Sequence, residues 1–364
     1  MVEWKKLGEV CCIRTGKLNA NAQVENGKYP FFTCDAKPFR IDTFAFDTEA
    51  ILISGNGSQV GHLNYYKGKF NAYQRTYVID DFRDVNVFYL LHYLKSTIRP
   101  YVMDKSKKGS VPYITLPMLE GFIIPIPSLE EQTRIVGILD TFTSAIDNLK
   151  EQIAQRRKQY EYYRDQLLHL EGKPGVEMKF ITDVAKSFTG LTYKPENVSD
   201  SGTLVLRSSN INDDVLSFDD NVFVQMEIPE RARVQENDIL ICVRNGSKRL
   251  VGKAAMITKE AEGMAFGAFM TILRNFAINS KFLFYVWQSE KVRRQYKGDE
   301  AMPIAQITAK DFQRIVIPVP PLSEQQRIVS ILDTFEASIQ NLEAQLKERE
   351  KQYEYYRNKL LTFE

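Results

Sequence analysis

"IPIPSLEEQTRIVGILDTF" occupies Ile124–Phe142, and "IPVPPLSEQQRIVSILDTF" occupies Ile317–Phe335; both run on to "KQYEYYR". Residues 124–168 and 317–361 align without a gap at an offset of 193, and 28 of their 45 positions are identical. Matched pairs include Glu131/Glu324, Gln132/Gln325, Arg134/Arg327, Phe142/Phe335 and Tyr160/Tyr353. Chance does not produce that agreement. An internal repeat decides an architecture, so the rest of the chain is read outward from this one.

Each copy opens with a Pro-rich extended stretch, Pro125–Pro127 or Pro318–Pro321. Proline disfavours helix in the residue before it, which predicts a helix beginning just beyond. Ser128 with Glu131 has the spacing of a capping box, and Ser323 with Gln326 repeats it two residues later. A 4–3 apolar repeat follows. It reads Ile135, Leu139, Phe142, Ile146, Leu149, Ile153, Arg156, Tyr160, Tyr163, Leu167 in the first copy. In the second it reads Ile328, Leu332, Phe335, Ile339, Leu342, Leu346, Arg349, Tyr353, Tyr356, Leu360. A sustained heptad seam is the signature of a coiled coil. Two such helices can pair parallel or antiparallel; the antiparallel pairing makes the two halves approximate two-fold mates. Arg156 and Arg349 interrupt the seam at matching positions. They either fix register as polar seam residues or snorkel outward.

The repeat reaches further upstream. "VEWKKLGEV" (Val2–Val10) matches "VEMKFITDV" (Val176–Val184), and Thr15-Gly16 matches Thr189-Gly190, at an offset of 174. "ILISGNGSQVG" (Ile51–Gly61) matches "ILICVRNGSKRLVG" (Ile239–Gly252), with the offset rising from 188 to 191. The chain is therefore one unit written twice, a variable domain followed by a long helix. The predicted divisions are 1–123 and 173–316 for the variable domains, and 124–172 and 317–364 for the helices. Ile51–Ile53 and Ile239–Val243 read as short strands, each followed by an Asn-Gly turn signal. "YYKGKFNAYQRTYVI" reads as a second hairpin with Gly68 at its tip, while "DVNVFYLLHYLKS" and "NSKFLFYVWQSEKVRRQY" carry helical apolar spacing. The fold class is α+β.

A chain of 364 residues with 44% hydrophobic and 26% charged residues belongs with ordinary globular proteins. Cys11, Cys12, Cys34 and Cys242 have no metal spacing and read as free thiols in a cytoplasmic protein; His62, His92 and His169 form no ligand pair. No secretory signal or spanning segment is read. The net charge of +2 neither demands nor excludes nucleic acid, so any such binding must come from local clusters. The first variable domain offers Asn56, Ser58, Gln59, Lys67, Lys69, Tyr73, Gln74, Arg75, Lys105, Lys107 and Lys108. The second offers Arg207, Ser208, Asn210, Arg244, Asn245, Ser247, Lys248 and Arg249. Arg, Lys, Asn and Gln are the side chains that pair with base edges, and Ser and turn N–H groups suit phosphate. No Walker A, dinucleotide fingerprint or amino-methyltransferase tetrapeptide occurs.

With the duplicated "IPxPxLxEQxRIVxILDTF" lead-ins, the long helices and "WKKLGEV" at Trp4–Val10, the sequence resembles the specificity subunits of type I restriction–modification systems. "ISGNGSQVG…YYKGKFNAYQRTYVI" resembles one recurrent type of target recognition domain. The resemblance implies two recognition domains carried by an antiparallel coiled coil. Each reads one half of an asymmetric bipartite DNA target, and the helices set the spacer. It implies no catalysis and no cofactor in this chain. Two methyltransferase (M) subunits would use S-adenosylmethionine on adenines, and restriction (R) subunits would use ATP and Mg2+. The implied setting is the cytoplasm of a prokaryote, at the nucleoid. A helix of about 40 residues is roughly 60 Å long, commensurate with half-sites about one DNA turn, roughly 34–36 Å, apart. Two other readings remain open: a targeting subunit whose partner fuses methyltransferase and nuclease, and a coiled-coil protein adaptor.

Overall fold

The protein is described from a computed structural model covering residues 2–105, 111–296 and 305–363. It forms two compact units, and packing divides the chain within the helices. The first unit is Met1–Lys150 with Ala344–Glu364, and the second is Glu151–Glu343. Among the described residues, no helix is long and apolar enough to cross a membrane.

In the first unit a six-stranded sheet runs in the order Cys12–Thr15, Thr76–Asp80, Phe46–Ser54, Leu63–Ala72, Tyr29–Phe32, Phe39–Ile41. Its central run Ala50–Ile53 is apolar at every position because both faces are covered. Ile51 and Ile53 join Ile79 in the core under the helix Val87–Lys105. Ala50 and Leu52 alternate to the other face, against Phe32, Phe70 and Val78. The sheet closes over that second core by coiling. Phe46 pairs with Phe70, and Ser54 pairs with Thr76. A flat sheet would put Phe70 and Thr76 about 28 Å apart, and the six Cα–Cα steps joining them span at most about 22 Å.

Gly68 was expected at a hairpin tip, but it pairs with Thr48 inside the strand Leu63–Ala72. Its φ of +126° is glycine backbone. The reversal falls instead at Tyr73–Arg75, where the Thr76 N–H donates to Tyr73 O at 2.9 Å. Nor are the Asn-Gly pairs two-residue hairpins. Gly57 (φ +81°) lies in the longer loop between Ser54 and Leu63, and Asn245 is itself in a short strand.

The second unit repeats this plan. Ala185–Thr189, Met270–Asn275, Ile239–Cys242 and Ala254–Met256 follow the same neighbour order. Ile239 and Ile241 face the core under the helix Ser280–Gln288, while Leu240 and Cys242 face the other. Val205 pairs parallel with Ala265, as Phe31 pairs parallel with Asn71 in the first unit. The single strand Leu63–Ala72 thus corresponds to two pieces, Ala254–Met256 and Ala265–Phe266. Much of the extra length lies between Gly190 and Ile239, which includes the small hairpin Ile211–Asn212/Val215–Leu216.

The Pro-rich lead-ins are strands rather than bare extended chain. Ile123–Ile126 pairs with Glu3–Lys6, and Val316–Val319 pairs with Glu177–Phe180, with Trp4 opposite Pro125 and Met178 opposite Pro318. Beyond them run the long helices Leu129–Leu167 and Leu322–Leu361. Ser128 caps the first, its Oγ accepting from Glu131 N–H at 3.3 Å. Ser323 does not cap the second. It lies inside that helix, whose first turn bonds to Pro321 O, because proline stands where Ser128 stands in the first copy.

Within each unit the helices pair antiparallel. In the first, Phe142 stacks on Tyr356 at 5.2 Å, and Lys150 meets Glu350 at 3.3 Å. In the second, Tyr163 stacks on Phe335 at 5.5 Å, and Arg157 meets Glu343 at 2.5 Å. Ile135, Leu139, Ile328 and Leu332 are fully buried in the domain cores, so the first heptads pack on the domains. Ile146 is buried, whereas Phe142, Leu149, Ile153, Tyr160, Phe335, Ile339, Leu342, Leu346 and Tyr353 are half-buried, as a two-helix seam open at its sides requires. Arg349 leaves the seam: it is exposed, with its guanidinium 5.8 Å over the Phe142 ring.

Candidate nucleic-acid interface

Chain reversals gather at one end of each sheet on the same hydrogen-bonded frame. In the first unit, Gly55 N–H donates to Arg75 O (2.8 Å), Ile114 N–H to Gly55 O (2.7 Å) and Gly61 N–H to Ser54 O (2.9 Å). In the second, Val243 N–H donates to Phe269 O (3.0 Å), Ile307 N–H to Val243 O (2.8 Å) and Gly252 N–H to Cys242 O (2.8 Å). Asn56 bridges Tyr113 as Arg244 bridges Gln306. Gly16 and Gly190 close the frames. A Cβ at either would lie 1.8 Å from Ala72 O or 2.1 Å from Gly267 O, so only glycine fits.

The side chains on these equivalent frames differ. The first carries exposed Ser58, Gln59, Gln74 and Arg75, with Tyr73 half-buried beside them. Asn56 is half-buried, its Oδ1 accepting from Cys34 Sγ at 3.0 Å, and Gln74 Nε2 donates to Asn19 Oδ1 at 3.0 Å. Tyr113 is 59% exposed. The second carries exposed Arg244, Ser247, Lys248 and Arg249, with the Arg244 guanidinium 5.4 Å over the ring of Phe269, itself 59% exposed. Asn245 Nδ2 donates to Ser208 Oγ at 3.2 Å, tying the two reversals together. Amides, cations and exposed rings on a rigid edge can pair with base edges, hold phosphate and stack on bases.

Other sequence-derived candidates separate from these groups. Lys67 and Lys69 lie mid-strand, about 13 and 20 Å along from Leu63. Lys67 faces Glu49 at 3.8 Å, and Lys69 covers the Phe44 ring at 4.8 Å. Lys105 is exposed at the end of its helix, and Lys107 and Lys108 lie outside the described residues. Arg207 is held by Asp220, through its carboxylate at 2.9 Å and its carbonyl at 3.3 Å. Asn210 is a correction. It is wholly buried, its Oδ1 accepting from Arg207 N–H (2.9 Å) and its Nδ2 donating to Ser217 O and Asp220 O (both 3.1 Å). That amide builds the loop and has no face left for DNA.

Sequence reasoning missed Asn19, Tyr113, Phe269 and Gln306. A signal existed for two of them: Tyr113-Ile114-Thr115 and Gln306-Ile307-Thr308 already stand at the 193 offset. Among the described residues, no three His, Cys, Asp or Glu side chains converge as a metal site.

The model of the type I restriction modification DNA specificity domain matches residues 1–156 and again 174–350. The chain belongs to that family. A putative type I restriction enzyme specificity subunit of Haemophilus influenzae is 26% identical over the whole of this chain and 96% of its own length. The EcoDI specificity subunit of Escherichia coli is 40% identical over 44% of this chain, a match spanning 36% of that protein. The fold is shared with solved chains. The Mycoplasma genitalium type I S subunit superposes with a TM-score of 0.61 at 16% identity, covering 100% of this chain and 97% of that one. A chain from work on complex assembly and conformational transition of the type I R-M system gives 0.64 at 18%, covering 99% and 96%. Family membership accounts for both duplicated halves at once.

Proposed function

We propose that this chain is the DNA specificity subunit of a type I restriction–modification enzyme, with each unit's loop end reading one half of an asymmetric bipartite target. The observation carrying this is one backbone frame, present twice, displaying Asn56, Arg75 and Tyr113 in one unit and Arg244, Phe269 and Gln306 in the other. Identical frames suit a common docking geometry, and different side chains suit different bases. The long helices set the spacer and dock two M subunits, which bring S-adenosylmethionine for adenine methylation. R subunits join with ATP and Mg2+. The chain chooses the site and leaves the chemistry to those partners, in the cytoplasm at the nucleoid.

The test is to insert one heptad within Lys150–Tyr160 and its counterpart at 343–353, then map methylated adenines in a host carrying the system. The spacer should lengthen with both half-sites intact. An unchanged spacer refutes the role of the helices, and a random methylation pattern refutes sequence reading by the domains.

A further inference from the structure

The Glu-Gln-x-Arg stretch shared by the two copies of the block is not explained by the coiled-coil seam. Glu131 pairs with Arg134 at 2.6 Å, and Glu324 with Arg327 at 2.7 Å, on the exposed side. The glutamines between them point inward and are buried, Gln132 at 0% exposure and Gln325 at 3%. Gln132 Oε1 accepts from Asn86 N–H at 2.7 Å while its Nε2 donates to Pro127 O at 2.9 Å. Gln325 does the same with Asn279 N–H at 2.9 Å and Pro320 O at 2.8 Å.

Each contacted asparagine is the cap of a domain helix. Asn86 Oδ1 accepts from Phe88 N–H at 2.9 Å, and Asn279 Oδ1 accepts from Phe282 N–H at 3.0 Å. A second joint follows eight residues along each long helix, about 12 Å further on. Asp140 meets His92 Nε2 at 2.8 Å, and Asp333 accepts from Tyr285 O–H at 2.5 Å and pairs with Lys281 at 2.8 Å. Apolar packing at Ile135 and Leu139, and at Ile328 and Leu332, holds each domain to its long helix, and two separated polar joints add a directional constraint to that packing. Buried polar contacts add little net stability over a well-packed apolar contact, and their best-attested use is to select one arrangement among several. Both copies keep both joints, although one has histidine where the other has tyrosine.

We infer that Gln132 with Asp140, and Gln325 with Asp333, form a two-point clamp that positions each recognition domain on its long helix and thereby restricts the spacer the complex accepts. The clamp rests on the specificity reading above. Its glutamines are buried and its carboxylates bond the domain helices, so they act as positioning residues.

The test uses the chain assembled with its methyltransferase partner, carrying Asp140→Ala and Asp333→Ala singly and together. Both changes spare the core, since the two carboxylates are 52% and 41% exposed. Rates are measured on duplexes with the native half-sites at the native spacer and at one base pair shorter and longer. The double variant should raise the rate on off-length spacers, relative to the native spacer, by about tenfold. Discrimination against single-base changes inside each half-site should stay as in the native complex. A merely structural role lowers all three rates together, and an unchanged ratio overturns the clamp. If the native complex itself accepts all three spacers, the ruler reading fails, and amide exchange then decides the clamp. Gln132→Ala should speed exchange at Asn86–Tyr89 and leave Asn279–Phe282 unaffected; equal protection in variant and native chain overturns it.

Discussion

Replacing Asn210 with alanine separates a scaffold residue from a DNA-reading one. The substitution removes a fully buried side chain that accepts from Arg207 N–H and donates to Ser217 O and Asp220 O. Stranding Arg207 N–H and the Ser217 carbonyl, while Asp220 O keeps the Arg207 guanidinium as a donor, costs about 2 kcal/mol after partial rehydration of the loop. The Glu151–Glu343 unit falls in the size class where 1 kcal/mol shifts the midpoint by about 2–4 °C, so its transition should fall by about 4–8 °C. Differential scanning calorimetry of the purified chain reads this directly, with the first unit's transition as an internal control. A midpoint within 1 °C of the native value, combined with loss of selectivity at the second half-site, would refute the reasoning and restore Asn210 to the DNA-reading set.

Arg75→Ala should weaken discrimination at the first half-site by about 1–3 kcal/mol and leave the second intact, and Arg244→Ala should do the reverse; methylation of half-site mismatch panels checks both, and equal loss at both halves would contradict separate reading. Gly190→Ala drives a Cβ into Gly267 O and should destabilise the second unit by at least about 2 kcal/mol, seen as a lower urea midpoint. Burial holds the His92 imidazole below its ordinary 6.5, with the Asp140 hydrogen bond pulling the other way. The unfolded chain therefore takes up a proton near 6.5 before the folded one does. This contribution is complete above that pH and is lost as pH falls below it. Melting points between pH 8 and pH 5 should show the slope, and His92→Tyr, which copies Tyr285 of the other half, should flatten it.

The long helices were legible because their signals are local: a 4–3 period, prolines before the start and an ungapped offset of 193. The matched Ile51 and Ile239 segments were legible for the same reason, and their strand registers correspond, with Ser54 opposite Thr76 and Cys242 opposite Met270 although the partner strands stand at an offset of 194. Gly68 was misread because a glycine between aromatic residues looks like a turn. Its backbone conformation is met inside a strand, and the reversal comes where Tyr73–Arg75 must cross back over a coiled sheet. "RSSN" was misread at Asn210 because polarity says nothing of burial. The short hairpin that follows closes over that side chain.

Repetition within one chain settled by itself that there are two equivalent halves, where the helices lie, and that divergence is concentrated in the domains, because these depend only on residue order and spacing. Tertiary structure alone decided which polar residues face outward together. Asn56, Arg75 and Tyr113 become neighbours through Gly55, whose N–H and carbonyl bind two distant segments, and Arg244, Phe269 and Gln306 do so through Val243. The two glutamines of the repeat likewise acquire a purpose only when a domain helix is delivered to them. Hydrogen bonds between remote segments leave no periodicity to read, so the site had to be folded before it could be seen.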